Sequence, residues 1–71
     1  MKLSERLRLI RKQRGYTLKT LSEKTGLSIS YLSDMERGIS SPSIESAEKI
    51  ARVYNLDLSG IFTGVEINAR T

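Results

Sequence analysis

Two opposite charges stand where helical spacing turns a side chain inward. Arg11 follows Leu7 by four residues, and Glu36 follows Leu32 by four and Met35 by one. An isolated charge on such a flank is costly to bury, whereas a matched pair is tolerated. Arg11 and Glu36 are therefore expected to meet across two packed helices, the alternative being that both snorkel to water. Beyond this pair the chain carries little catalytic chemistry. It has no histidine and no cysteine, which removes the usual general base near neutral pH and the commonest metal ligands. There is no glycine-rich phosphate loop, the serines lack an evident base, and no carboxylates are paired by spacing. Neither catalysis nor any metal or other cofactor is expected.

What remains is charge. Residues 1–37 hold nine basic and four acidic residues, a net +5, while residues 38–71 hold three and four, a net −1. A basic half of this kind suits a polyanion, nucleic acid ahead of an anionic membrane. A merely solvated basic face is the bland alternative. With 71 residues there is room for one small core and one domain. The chain has no apolar run approaching the roughly 20 residues that span a bilayer, and no signal-peptide core, so a reducing cytoplasm is expected.

The elements that must position these residues are short helices. Leu3, Leu7 and Ile10 share one helical face, which Gly15 is expected to end in left-handed geometry. Thr17 is a natural N-cap for a second helix with Leu18, Leu21 and Thr25 inward, stopped by Gly26. Ser28 caps a third, with Leu32 and Met35 inward and Gly38 closing it. Ser40-Ser41-Pro42 reads as a loop, since Pro42 disfavours helical geometry at Ser41. Ser43 caps a fourth, whose stripe is Ile44, Ala47, Ile50, Ala51 and Tyr54. Asn55 closes it, Leu56 plugs the core, and Asp57 caps a short fifth helix carrying Leu58, Ile61 and Phe62, weakened by Gly60. The fold class is all-α with five helices. No alternating run is long enough for a sheet.

Helix two, the turn at Gly26 and helix three form a helix-turn-helix in outline, two helices set at a steep angle by a short glycine turn. Small Ser22, one turn before Gly26, would let them approach closely. Such a unit is common by itself. Here it lies in the basic half, and its second helix opens with short polar residues. The segments Leu7 to Arg11, Thr17 to Leu21, Leu27-Ser28 to Leu32, Glu36-Arg37-Gly38 and Pro42-Ser43-Ile44 resemble the lambda-repressor-like helix-turn-helix domain of the Cro/repressor, or Xre, family. The resemblance runs from about Leu3 to Phe62. It implies a DNA-binding transcription regulator, a repressor by preference, working as a homodimer on a partly palindromic operator. It also implies that Arg11 and Glu36 are the family's buried ion pair.

With Leu32 and Met35 inward, the outward positions of helix three are Ile29, Ser30, Ser33 and Asp34. The resemblance makes these the base-reading residues of a helix lying in the major groove. The set lacks the Gln, Asn, Arg and Lys side chains that bond a base twice. Ile29 suits thymine methyls, Ser30 and Ser33 any base, and Asp34 cytosine N4. Backbone contacts are expected from Tyr31 and Arg37, from Thr17, Lys19 and the free amides at the start of helix two, and from Ser28, Ser40, Ser41 and Ser43. Packing against helix two is the competing role for Tyr31. Lys2, Lys12 and Arg14 would be distant electrostatic support or plain surface.

One such helix reads too few bases to find one site in a genome, so two copies are expected, with half-sites about 34 Å apart. Residues 1–63 would form the domain. Residues 64–71 would be a tail, either a dimerisation segment or the stub of a linker. Phe62, Val65 and Ile67 are the interface candidates; closing the small core is the competing role. The rival readings are a protein-interaction module of the same fold, an antitoxin and a restriction–modification controller. A protein or small-molecule effector is left open.

Overall fold

The computed structural model describes residues 1–66. Five helices follow one another: α1 (Leu3–Gln13), α2 (Leu18–Thr25), α3 (Ile29–Glu36), α4 (Ile44–Val53) and α5 (Leu58–Phe62), with no strand among the described residues. The expected caps set the boundaries. Thr17, Ser28, Ser43 and Asp57 each accept the amide three residues on through a side-chain oxygen. Gly15, Gly26 and Gly38 follow their helices in left-handed geometry, and Asn55 adopts it at φ 57° after α4. An N-cap tie also appears at α1, where Glu5 accepts the Lys2 amide at 2.8 Å.

The core gathers one stripe from every helix. Leu7, Ile10, Leu21, Leu32, Met35, Ile50, Ala51, Tyr54 and Ile61 are buried together, with Leu3, Leu18, Leu27, Leu56 and Phe62 packed at its edge. α1 packs on α3 and α5, α2 packs on α3 and α4, and α4 packs on α5. Gly60 allows Leu56 to come close, because a Cβ there would lie 3.1 Å from that side chain.

Ile44 departs from the expected stripe. It is 65% exposed, because it is the first residue of α4 and its Cβ tilts toward the helix start, past the packed layer. The core face of α4 begins at Ala47. Arg14 departs too. Its guanidinium donates to the Tyr54 carbonyl at 2.9 Å and lies over the Tyr54 ring, so it caps the end of α4. Arg6 likewise donates to the Gly60 carbonyl at 2.8 Å and ties α1 to α5.

Tyr54 is 1% exposed, and its hydroxyl has no hydrogen-bond partner among the described residues. Burial, with the nearby Glu36 charge, pushes its phenol up to about 12 from an ordinary 10.0. The folded chain thus keeps a proton that the unfolded chain releases. Tyr54's contribution is whole below pH 10 and is lost as the pH rises through 12, on the order of 2–3 kcal/mol in all. Urea unfolding should show Tyr54→Phe matching or slightly exceeding wild type at pH 8, since no bond is given up. At pH 11 the variant should be clearly the more stable. A parallel alkaline loss in both chains would refute this.

Candidate nucleic-acid interface

The helix-turn-helix is anchored from behind by the Arg11–Glu36 pair. Arg11 Nε donates to Glu36 Oε2 at 2.7 Å, and Nη2 donates to Oε1 at 3.0 Å. Nη1 donates to the Tyr16 carbonyl at 2.8 Å. The two side chains are 13% and 9% exposed, and the Glu36 bond holds the Arg11 guanidinium above its ordinary pKa against the effect of burial. The fork therefore joins the last turn of α1, the segment leading into α2, and the end of α3. That is the pairing expected from spacing. The turn itself is closed by Ser22, whose hydroxyl donates to the Leu27 carbonyl at 2.6 Å. Ser22 thus works as a hydrogen-bonding bridge across the turn, a role its size alone did not suggest.

With its inner face pinned by Leu32 and Met35, α3 turns its first residues outward. Ile29 is 46% exposed and Ser30 is exposed, whereas Ser33 and Asp34 are half-buried. Asp34's main-chain carbonyl accepts the amides of Ile39 and Ser40, so the loop after α3 folds back over this end of the helix. Its carboxylate lies 4.0 Å from Arg37, a contact that competes with any base for Asp34. Arg37 and Lys19 are exposed.

Three of the five candidate serine and threonine hydroxyls, those of Thr17, Ser28 and Ser43, already accept an amide within the fold. Thr17 accepts the Thr20 amide and bonds the Thr20 hydroxyl, both at 3.0 Å. Ser43 accepts the Ser46 amide and bonds the Ser46 hydroxyl, also at 3.0 Å. Both are already engaged within the fold. Ser28 accepts the Tyr31 amide at 3.0 Å, and Ser41 is exposed while Ser40 is half-buried.

Tyr31 is half-buried against the core edge, with its hydroxyl turned toward the start of α4. Its hydroxyl donates to Ser46 Oγ and accepts the Ser43 amide, each at 3.4 Å. The Ser46 hydroxyl and Ser43 amide, both able to donate to the ionised oxygen, hold the phenol below its ordinary pKa. Ser46 is 8% exposed, a burial that its polar side chain does not announce. The Ser43-x-x-Ser46 spacing was its signal. Of the interface candidates, Phe62 packs at the core edge and Val65 is half-buried. Ile67 lies outside the described residues. The segment after α5 turns back on the start of the chain: the Met1 amine donates to the Gly64 carbonyl at 3.1 Å and Glu66 N–H to the Met1 carbonyl at 2.9 Å. No helix among the described residues is long and apolar enough to cross a membrane.

Five helices around one core, with α2 and α3 joined by a three-residue glycine turn and α3 facing out, define a helix-turn-helix protein. The helix-turn-helix family model HTH_3 matches residues 7–61, and the chain belongs to this lambda-repressor-like (Xre) family. Its relatives are named as regulators, not enzymes. It is 42% identical to the transcriptional regulator DdrOP3 of Deinococcus deserti, over 93% of this chain and 51% of that protein. It is 39% identical to the immunity repressor of Bacillus phage phi105, over 86% of this chain and 42% of the other. The chain thus spans about half the length of these curated relatives. Among solved structures, the regulator of biofilm formation SinR in complex with DNA superposes with a TM-score of 0.79 at 36% identity, over 84% of this chain and 97% of that one. The N-terminal DNA-binding domain of SinR from Bacillus subtilis gives 0.78 at 32%, over 96% of each chain.

Proposed function

We propose that this chain is the sequence-specific DNA-binding domain of a cytoplasmic transcriptional repressor that acts as a homodimer on a partly palindromic operator. The observation that carries the reading is the outward first turn of α3, Ile29 and Ser30, braced from behind by Arg11 and Glu36. The basic charge of the same half of the chain and the likeness to a SinR domain solved on DNA support it. In this reading α3 lies in the major groove and reads bases through Ile29, Ser30 and Ser33. The starts of α2 and α4 and the α3–α4 loop hold the backbone on either side. Asp34 serves Arg37 as well as any cytosine. A helix without twofold-bonding readers draws part of its specificity from DNA shape, so base pairs outside the contacts should alter affinity.

Lys19 and Arg37 are the phosphate contacts of this reading. Lys19→Ala and Arg37→Ala should weaken binding to every duplex alike and flatten the dependence of log affinity on log salt by about one unit each. Fluorescence anisotropy over a salt series measures this. A wild-type chain with no salt-dependent affinity for any duplex would favour the protein-interaction reading. For the dimer, Phe62 and Val65 are the candidates at hand. Sedimentation with and without residues 64–71 tests them, and a chain that stays monomeric and occupies one half-site would exclude the homodimer.

A further inference from the structure

A buried serine in a small core needs a reason, and Ser46 has a specific one. Its hydroxyl oxygen accepts from Tyr31 at 3.4 Å and from Ser43 at 3.0 Å, filling both lone pairs. Its amide donates to Ser43 Oγ at 3.0 Å, and the Ser43 amide donates to the Tyr31 oxygen at 3.4 Å. Three side chains and two amides thus form a closed ring. One member stands on the first turn of α3 and the other two on the first turn of α4. α3 and α4 meet through the core residues Leu32, Met35 and Ile50 but do not lie along each other as α2 and α4 do, so the ring is a direct polar tie between the two helix starts. It also engages two of the amides that a helix start leaves free, so those of Ile44 and Glu45 remain for an outside acceptor.

We infer that Tyr31 and Ser46 are positioning residues, which set the distance between the base-reading turn of α3 and the α4 N-terminus so that one duplex engages both. The inference deepens the DNA reading above and rests on it. Ser46 is buried and cannot touch DNA, which separates this role from a direct phosphate contact by Tyr31. The two bonds at 3.4 Å are long for hydroxyl hydrogen bonds, so the ring is a light restraint, and its loss should leave the core intact.

The test is a double-mutant cycle in DNA affinity, paired with amide exchange of the free protein. Tyr31→Phe and Ser46→Ala should each weaken duplex binding by about fivefold, the worth of one net hydrogen bond. The double variant should be no weaker than Tyr31→Phe alone, because Ser46→Ala removes no α3–α4 bond that Tyr31→Phe does not. In the free protein, Tyr31→Phe should speed exchange of the Ser43 amide while the Leu32 and Ile50 amides keep their protection. Ser46→Ala binding like wild type while Tyr31→Phe is weakened would make Tyr31 a direct contact and overturn the inference, as would losses that multiply. Unchanged Ser43 exchange in Tyr31→Phe would overturn the ring by itself, without DNA. A wild-type chain that binds no duplex would overturn the DNA reading, and with it the positioning role, whatever the exchange data show.

Discussion

Arg11→Met and Glu36→Leu should each lower the unfolding free energy by about 3–5 kcal/mol, the cost of leaving one half of a buried ion pair alone. The geometry supports the upper part of that range, because the pair is bidentate and its side chains are 13% and 9% exposed. Arg11→Met should be the worse of the two. It orphans the Tyr16 carbonyl as well as Glu36, whereas Glu36→Leu leaves Arg11 that one acceptor. The double apolar variant should recover much of the loss but not all, since the Tyr16 carbonyl stays unpaired. Domains of this size have only several kcal/mol in hand, so either single variant should be largely unfolded at 37 °C. Urea titration at 25 °C reads the effect. Two single variants that melt like wild type would mean that water, not the partner, satisfies each charge.

Leu32→Ala and Ser33→Ala, neighbours on one helix, should fail in opposite ways. Leu32 is 2% exposed in the middle of the core, and its truncation should cost about 2–5 kcal/mol, depending on how far the neighbours collapse. DNA affinity should then drop only by the unfolded fraction, with the preferred sequence unchanged. Ser33→Ala should melt near wild type and change the preference at one base pair by about 0.5–1.5 kcal/mol, the worth of one net hydrogen bond. Competition among duplexes substituted one position at a time separates the two outcomes. A uniform loss for Ser33→Ala would remove that residue from base readout.

The helix order, the caps and the ion pair were legible because each follows from a short-range rule. Thr17, Ser28, Ser43 and Asp57 are polar residues ahead of apolar periodicity, and Arg11 and Glu36 are displaced from that periodicity by single positions. What was not legible depends on where helices end in space. Ile44 fits the stripe of α4 but overhangs its packed part. Arg14 reads as one more basic residue, and only the approach of α4's last turn makes it a cap. At the interface, the exposure of Ile29 and Ser30 was readable from the burial of Leu32 and Met35, whereas the half-burial of Ser33 and Asp34 was not. Nor was the bonding of Tyr31 to Ser46 and Ser43, because it joins residues 15 and 12 positions apart that only the packing of two helix starts brings together.

The tie between the two ends of the domain bears on the order in which it assembles. α1 reaches α3 through a separation of 25 residues at the Arg11–Glu36 fork, but Arg6 and Gly60 are 54 apart. Met1 and Gly64 are 63 apart. Contacts that close the longest loops are entropically the dearest to form. A nucleus of α1 to α4 is therefore expected to form before the bonds from α1 to Gly60 and from Met1 to Gly64 fix the single turn of α5 in place. By the same hierarchy α5, followed by the two bonds from Gly64 and Glu66 to Met1, is the element expected to open first in the native state. Such an opening would expose the core residues that Ile61 covers between α1 and α4 and leave the Arg11–Glu36 fork and the recognition helix closed.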